Sequence, residues 1–230
     1  MSQPELVARD VYRVDAIPIP NAVNVLLVQE DDGFTLIDTG VSSSPKRIRA
    51  ALGELGAGPS DLRRVFITHY HDDHTGGLEE ILAWSGPEEI EVWASDREAE
   101  IFTGERPPDL SANPAFRRLT RNLRAPRVKI ARRLREGEPV AGFRTVPTPG
   151  HTLGHVSLLR DEDGLIFTAD ALGCLPLKIR AGVRKIFCTD PELARHSASN
   201  LLSESFQTVV FPHCKPLYSG AKERLREFIL

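Results

Sequence analysis

Cysteine is scarce in this chain. Cys174, Cys188 and Cys214 form an odd, unpatterned set in 230 residues and read as free thiols rather than a disulfide framework. Long apolar runs are also missing: no stretch approaches the ~20 residues needed to cross a bilayer, so no membrane partner is expected. Charge is close to balanced, at −3, which gives no global reason to expect a nucleic-acid partner. The opening residues Met1-Ser2-Gln3-Pro4-Glu5 lack a basic region followed by an apolar core, so a cytoplasmic location is expected. What remains is ordinary globular composition, 41% hydrophobic and 27% charged, which excludes disordered and collagen-like classes. A chain of this length buries a substantial core as one domain or two intimate halves. A small-molecule substrate is the expected partner, and the sequence is silent on oligomeric state.

One segment stands apart. Thr68-His69-Tyr70-His71-Asp72-Asp73-His74-Thr75-Gly76-Gly77 places three histidines and two aspartates within six residues, directly after the apolar run Val65-Phe66-Ile67. If that run is a strand, His69 and His71 project the same way and can grip one metal ion, while Tyr70 points the other way. Asp73 and His74 follow where the strand gives out, which leaves room for a second ion. Gly76-Gly77 allows a tight turn and a close backbone approach. Asp72 is expected to face solvent.

A catalytic divalent ion needs about three protein ligands and an open position, and the chain offers more of them at intervals. His151 lies in Thr148-Pro149-Gly150-His151-Thr152-Leu153-Gly154-His155, after the apolar run at 143–146. Asp170 ends Leu165-Ile166-Phe167-Thr168-Ala169-Asp170, and His213 ends Val209-Val210-Phe211-Pro212-His213. Each follows a strand-like run, as a site along one rim of packed sheets requires. His155 and His196 read as ordinary polar residues, and Lys215 and Tyr218 are candidate substrate contacts.

Strand-like and helix-like pieces alternate in two comparable series. The first has strands near 24–28, 34–38, 65–68 and 89–94 with helices near 45–55 and 77–85. The second has strands near 143–146, 156–160, 165–168 and 208–211 with helices near 191–203 and 221–228. Between them, about 95–127, periodicity weakens and Pro107-Pro108 and Asn113-Pro114 interrupt. This stretch reads as an insertion over the site. Phe116, Leu119 and Leu123 recur at helical spacing there. Arg117, Arg118, Arg121 and Arg124, continued by Lys129 and Arg135, read as a solvated basic face.

In this order of motifs the chain resembles the metallo-β-lactamase superfamily, from about residue 14 to 228. The pattern His-x-His-x-Asp-His, then Gly-His, then an Asp after a strand, then a final His, is met by His69, His71, Asp73, His74, His151, Asp170 and His213. Leu36-Ile37-Asp38-Thr39-Gly40 resembles the family's early Asp motif, which supports the ligands from behind. The resemblance implies one α/β (α+β) domain over residues 1–230, an αββα sandwich of two mixed sheets with metal at one edge. It also implies that His69, His71 and His151 hold one ion and Asp73, His74 and His213 the other, with Asp170 between them. His155 would support the ligands.

Such a centre uses a metal-bridged hydroxide to attack an ester, thioester, lactone or amide carbonyl, with Asp73 or Asp170 orienting the water and accepting its proton. Two zinc ions suit this set best, and iron or manganese suits nitrogen and oxygen donors too. The resemblance narrows the substrate no further. Family lactonases carry a Tyr shortly after the bridging Asp, where this chain has Ala171-Leu172-Gly173-Cys174. Glyoxalase II carries a C-terminal helical domain for which the sequence leaves no room, and the related zinc β-lactamases have Cys in place of Asp170. A mononuclear-iron persulfide dioxygenase of the same superfamily and a non-catalytic metal-bound binding protein are the alternative readings.

Overall fold

A computed structural model describes residues 3–84, 89–120, 124–175, 178–181 and 185–229. The chain divides into two compact units, residues 1–106 with 125–134, and residues 107–124 with 135–230.

The first unit is built on a seven-stranded mixed sheet in sequential order: β1 Glu5–Ala8, β2 Val11–Asp15, β3 Asn24–Glu30, β4 Gly33–Ile37, β5 Leu62–Ile67, β6 Glu91–Ser95 and β7 Arg132–Leu134. The first four strands are antiparallel, and β4 to β7 run parallel. Val65, Phe66 and Ile67 of β5 are all buried, which explains their continuous apolar run, since a central parallel strand is covered on both faces. Helix α1, Pro45–Glu54, starts on a proline and buries Ile48, Ala51 and Leu52 at the spacing of one helical face. Helices α2 Asp72–Thr75, α3 Leu78–Leu82 and α4 Asp96–Thr103 complete the unit. Its core gathers Leu27, Leu36, Ile48, Leu52, Val65, Ile67 and Phe102.

The second unit carries helix α5 Pro114–Thr120 and a five-stranded mixed sheet. The sheet contains β8 Pro139–Val140, β9 Phe143–Pro147, β10 Val156–Arg160, β11 Leu165–Phe167 and β14 Thr208–Val210, ordered β14-β11-β10-β9-β8 with only β11 and β14 parallel. A separate hairpin pairs β12 Leu172–Leu175 with β13 Lys178–Ala181. Helix α6 Pro191–Asn200 opens on Asp190, whose carboxylate accepts from Glu192 N at 3.1 Å and Leu193 N at 3.0 Å. Helix α7 is Ala221–Ile229, and Leu159, Ile166, Leu201, Val209, Phe211 and Leu225 form the core of this unit.

The fold class is thus α/β with two mixed sheets, as the sequence indicates, and every strand expected in the two series is present within a few residues of its place. Differences lie in short elements. The expected helix at 77–85 is the shorter α3, preceded by the single turn α2; residues 85–88 lie outside those described. The stretch read as one insertion divides between the units, with α4 in the first and α5 in the second; Arg121 and Leu123 of that stretch lie outside the described residues. Strands β1, β2, β7, β8 and the β12–β13 hairpin are too short or too weakly alternating to announce themselves. No helix among the described residues is long and apolar enough to cross a membrane.

Leu36→Ala is expected to lower stability by about 2–5 kcal/mol, because Leu36 is wholly buried in the first core. Leu6→Ala, at a position 61% exposed, should stay within about 0.5 kcal/mol. Urea unfolding of the two variants checks both.

Candidate functional site

In the first unit, β4 and β6 flank β5 and run parallel to it, so the residues leaving the three strands emerge at the same sheet edge. Asp38 follows β4. It is buried and has φ 59°, a left-handed conformation that costs a residue with a side chain of order 1–3 kcal/mol. Its carboxylate accepts from Thr68 N at 2.9 Å, from Thr68 Oγ1 at 2.9 Å and from His74 Nδ1 at 2.7 Å. The Thr68 hydroxyl has one hydrogen, and Asp38 takes it. At the 3.1 Å contact between Thr68 Oγ1 and His69 Nδ1, the donor is therefore Nδ1. Asp38 thus sets the tautomers of both His69 and His74 and leaves Nε2 of each as the nitrogen with a lone pair to offer.

The rings converge. Centroids of His69 and His71 are 4.8 Å apart and those of His69 and His74 are 4.1 Å apart. The ligand atoms of His69 and His71 lie within 4.8 Å of each other, and Asp73 Oδ1 is 3.9 Å from His74 Nε2. His71 has extended backbone, φ −64° and ψ 152°, and α2 begins after it, so Asp73 and His74 stand on a helical turn. Tyr70 points into the core and Asp72 into solvent, as expected. Gly77 packs against the loop after β4: a Cβ there would sit 2.5 Å from Thr39 O. The close approach read from the glycine pair thus brings α2 onto the Asp38 loop.

In the second unit, His151 follows Gly150, whose φ is +129° and where a Cβ would lie 2.1 Å from Ala194 N. The loop is pinned on several sides. Thr189 N donates to His151 O at 3.0 Å, Asp190 N to Gly150 O at 2.9 Å, and Leu153 N to Asp109 Oδ2 at 2.8 Å. Asp170 sits in a tight turn after β11, and its N–H donates to His155 Nε2 at 2.9 Å. His155 Nδ1 must then be the donor to Thr148 Oγ1 at 2.8 Å. The chain continues from Thr148 Oγ1 to Ser157 Oγ at 3.0 Å and from Ser157 to Thr168 O at 2.9 Å. With both nitrogens engaged, His155 supports the backbone of Asp170 and is not itself a ligand.

The Asp170 carboxylate has an imidazole nitrogen at each end, His151 Nε2 at 3.2 Å from Oδ2 and His213 Nε2 at 3.2 Å from Oδ1. Such contacts need a proton or a cation between the partners. Two ligands on a tetrahedral zinc with bonds near 2.0–2.1 Å stand roughly 3.3 Å apart, so nitrogen–oxygen spacing and donor type both fit a divalent metal. Each unit thus brings together its own candidates: His69, His71, Asp73 and His74 in the first, and His151, Asp170 and His213 in the second.

Other expectations resolve differently. Cys214 is disulfide-bonded, whereas Cys188 is a buried thiol outside any disulfide; spacing along a chain does not say which distant sulfurs meet, so the reading of Cys214 as free is corrected. His196 is exposed on α6, and Lys215 and Tyr218 are exposed. Part of the basic run is engaged, since Arg117 Nε donates to Ser111 O at 2.8 Å and Lys129 pairs with Glu89 at 3.1 Å; nearby, Arg133 pairs with Glu105. That pairing holds the Glu105 carboxyl below its ordinary range, chiefly through the hydrogen bond from Arg133. Glu98 and Asp109, which hold the two ligand loops, were not singled out in the sequence. Ser95-x-x-Glu98, a helix-capping pattern, was the available signal for the first.

The sequence model of the Metallo-beta-lactamase superfamily matches residues 18–215. The uncharacterised protein YobT of Bacillus subtilis (strain 168) is 30% identical over 75% of this chain and 70% of its own length. A hydroxyacylglutathione hydrolase of Hahella chejuensis is 26% identical over 94% of this chain and 70% of its own length. In fold, a metallo-beta-lactamase family protein from Thermus thermophilus superposes with a TM-score of 0.70, at 24% identity, covering 96% of this chain and 78% of that one.

Gly150→Ala is expected to lower stability by about 2–4 kcal/mol, since the new Cβ meets backbone on α6 in a backbone conformation that disfavours it. Gly53→Ala, in α1 with nothing within 4 Å, should instead gain about 0.5–1 kcal/mol. Opposite shifts in the urea midpoint would be the result.

Proposed function

The chain belongs to the metallo-beta-lactamase superfamily, and from that membership we propose that it is a metal-dependent hydrolase acting on an activated carbonyl: an ester, thioester, lactone or amide. The observation that carries this reading is the Asp170 carboxylate, with a histidine nitrogen 3.2 Å from each oxygen. On this reading His69, His71 and His151 would hold one ion and Asp73, His74 and His213 a second, with Asp170 available to both. Nitrogen and oxygen donors in this proportion suit zinc best, with manganese or iron as substitutes. Divalent ions held there supply Lewis acidity and lower the pKa of a coordinated water toward neutrality.

The protein's own groups do the rest. Asp38 keeps His69 and His74 in the tautomer that presents Nε2. His155 and its hydroxyl chain fix the backbone of Asp170, so that its carboxylate stays between His151 and His213. Asp73 and Asp170 are the carboxylates able to orient the attacking water and accept its proton. No serine or cysteine nucleophile is required. The relatives named hydroxyacylglutathione hydrolase make thioesters the first substrates to try, ahead of lactones and β-lactams.

Metal content per chain, measured by plasma mass spectrometry on protein purified without chelators, is expected to be two zinc or manganese ions. A single iron would overturn the hydrolase reading and direct assays to oxygen uptake. The double variant His71→Ala/Asp73→Ala is expected to lose turnover while remaining folded. At a free zinc concentration 100 times the dissociation constant it should also lack the about 2.7 kcal/mol that binding adds to the wild type. Unchanged hydrolysis in that variant would exclude these ligands.

A further inference from the structure

Glu98 is a wholly buried carboxylate, with 0% exposure, on α4 of the first unit. Its position is N3 of the helix, three residues after the cap Ser95, whose hydroxyl accepts from Glu98 N at 3.5 Å. One carboxylate oxygen, Oε2, accepts from Tyr70 N at 3.0 Å. Tyr70 is the residue between His69 and His71.

The topology gives this contact its meaning. In a parallel sheet the ladder normally ends where the strands end, leaving the next N–H groups to find other partners. Here the segment beyond β5 is gripped from both sides. From the β4 side, Asp38 takes Thr68 N at 2.9 Å; from the β6 side, through α4, Glu98 takes Tyr70 N at 3.0 Å. His69 lies between the two gripped amides, and His71 follows the second. A buried carboxylate is costly unless it is hydrogen-bonded, and a glutamate at this position of a helix can satisfy its own cap region. Its engagement with the backbone between two candidate ligands is therefore specific.

We propose that Glu98 is a positioning residue of the metal-binding motif, which fixes the His69-Tyr70-His71 backbone so that both imidazoles converge on one ion. The inference rests on the metal reading above and assigns to the buried carboxylate a role distinct from that of Asp38, which takes the backbone amide before His69 and the ring of His74, whereas Glu98 takes the amide between His69 and His71.

The test is a zinc titration against a chromophoric chelator on Glu98→Ala, Glu98→Gln and Glu98→Asp, together with thermal unfolding of the metal-free proteins. Glu98→Ala should weaken zinc binding by roughly ten- to a hundredfold, the range for residues that orient metal ligands. Glu98→Gln, whose amide oxygen can accept the same N–H, should keep wild-type affinity. Glu98→Asp, one methylene too short, should bind weakly like the alanine variant. A role confined to folding would lower the melting temperature of the metal-free protein but leave the affinity of the folded fraction unchanged in all three, and that result would overturn the proposal. If Glu98→Ala does not fold, the Gln and Asp variants decide: equal zinc affinities overturn the inference. Wild-type protein that binds no divalent ion would instead overturn the metal reading beneath it.

Discussion

The contact between Asp38 and the two residues it governs, Thr68 and His74, is the constraint on which the candidate ligands of the first unit depend. It is made possible by the parallel pairing of β4 with β5, where Ile37 lies beside Phe66. The residues leaving the two strands are then neighbours. Asp38 adopts a left-handed backbone there and gains three hydrogen bonds from buried donors. Bonds to a charged acceptor contribute about 1.5–3 kcal/mol each, enough to offset the strained φ. The chemical consequence is larger than the energetic one. A histidine that could present either nitrogen is restricted to Nε2, once directly at His74 and once through the Thr68 hydroxyl at His69.

The second unit solves the same problem with neutral groups. His155, Thr148, Ser157 and the Thr168 carbonyl form a directional chain in which each donor has one hydrogen and one place to send it. The chain begins at Asp170 N, so the orientation of a candidate ligand is tied to three buried polar side chains and through them to β10 and β11. Around His151 the constraint is steric and backbone-borne: Gly150 passes too close to α6 for any side chain, and Asp109 and the residues before α6 hold the loop. Low-dielectric surroundings strengthen such networks and make an unpaired member expensive, so these loops have little freedom to drift.

The membership of the superfamily and the geometry of these residues meet in a hydrolase reading for one reason: both point to donors rather than nucleophiles. Neither set of candidates contains a serine or a cysteine. Everything is built to fix nitrogen and oxygen lone pairs at spacings that suit a divalent ion.

Residue order was enough to identify the candidate ligands, the apolar runs that precede them and the α/β class, because ligand type is a property of single residues and strand runs are local. His69, His71, Asp73, His74, His151, Asp170 and His213 could all be named from spacing and order, and Asp38 from its motif. Folding had to be seen before it was known which nitrogen His69 and His74 offer, that His155 supports Asp170, that Glu98 and Asp109 hold the ligand loops, and that Cys214 lies in a disulfide. These are contacts between residues far apart in the chain, 15 positions for His155 with Asp170, 28 for Glu98 with Tyr70 and 44 for Asp109 with Leu153, or they depend on where a single hydroxyl hydrogen goes. Local spacing carries no record of either, since strand pairing and helix placement bring such partners together only after the chain has folded.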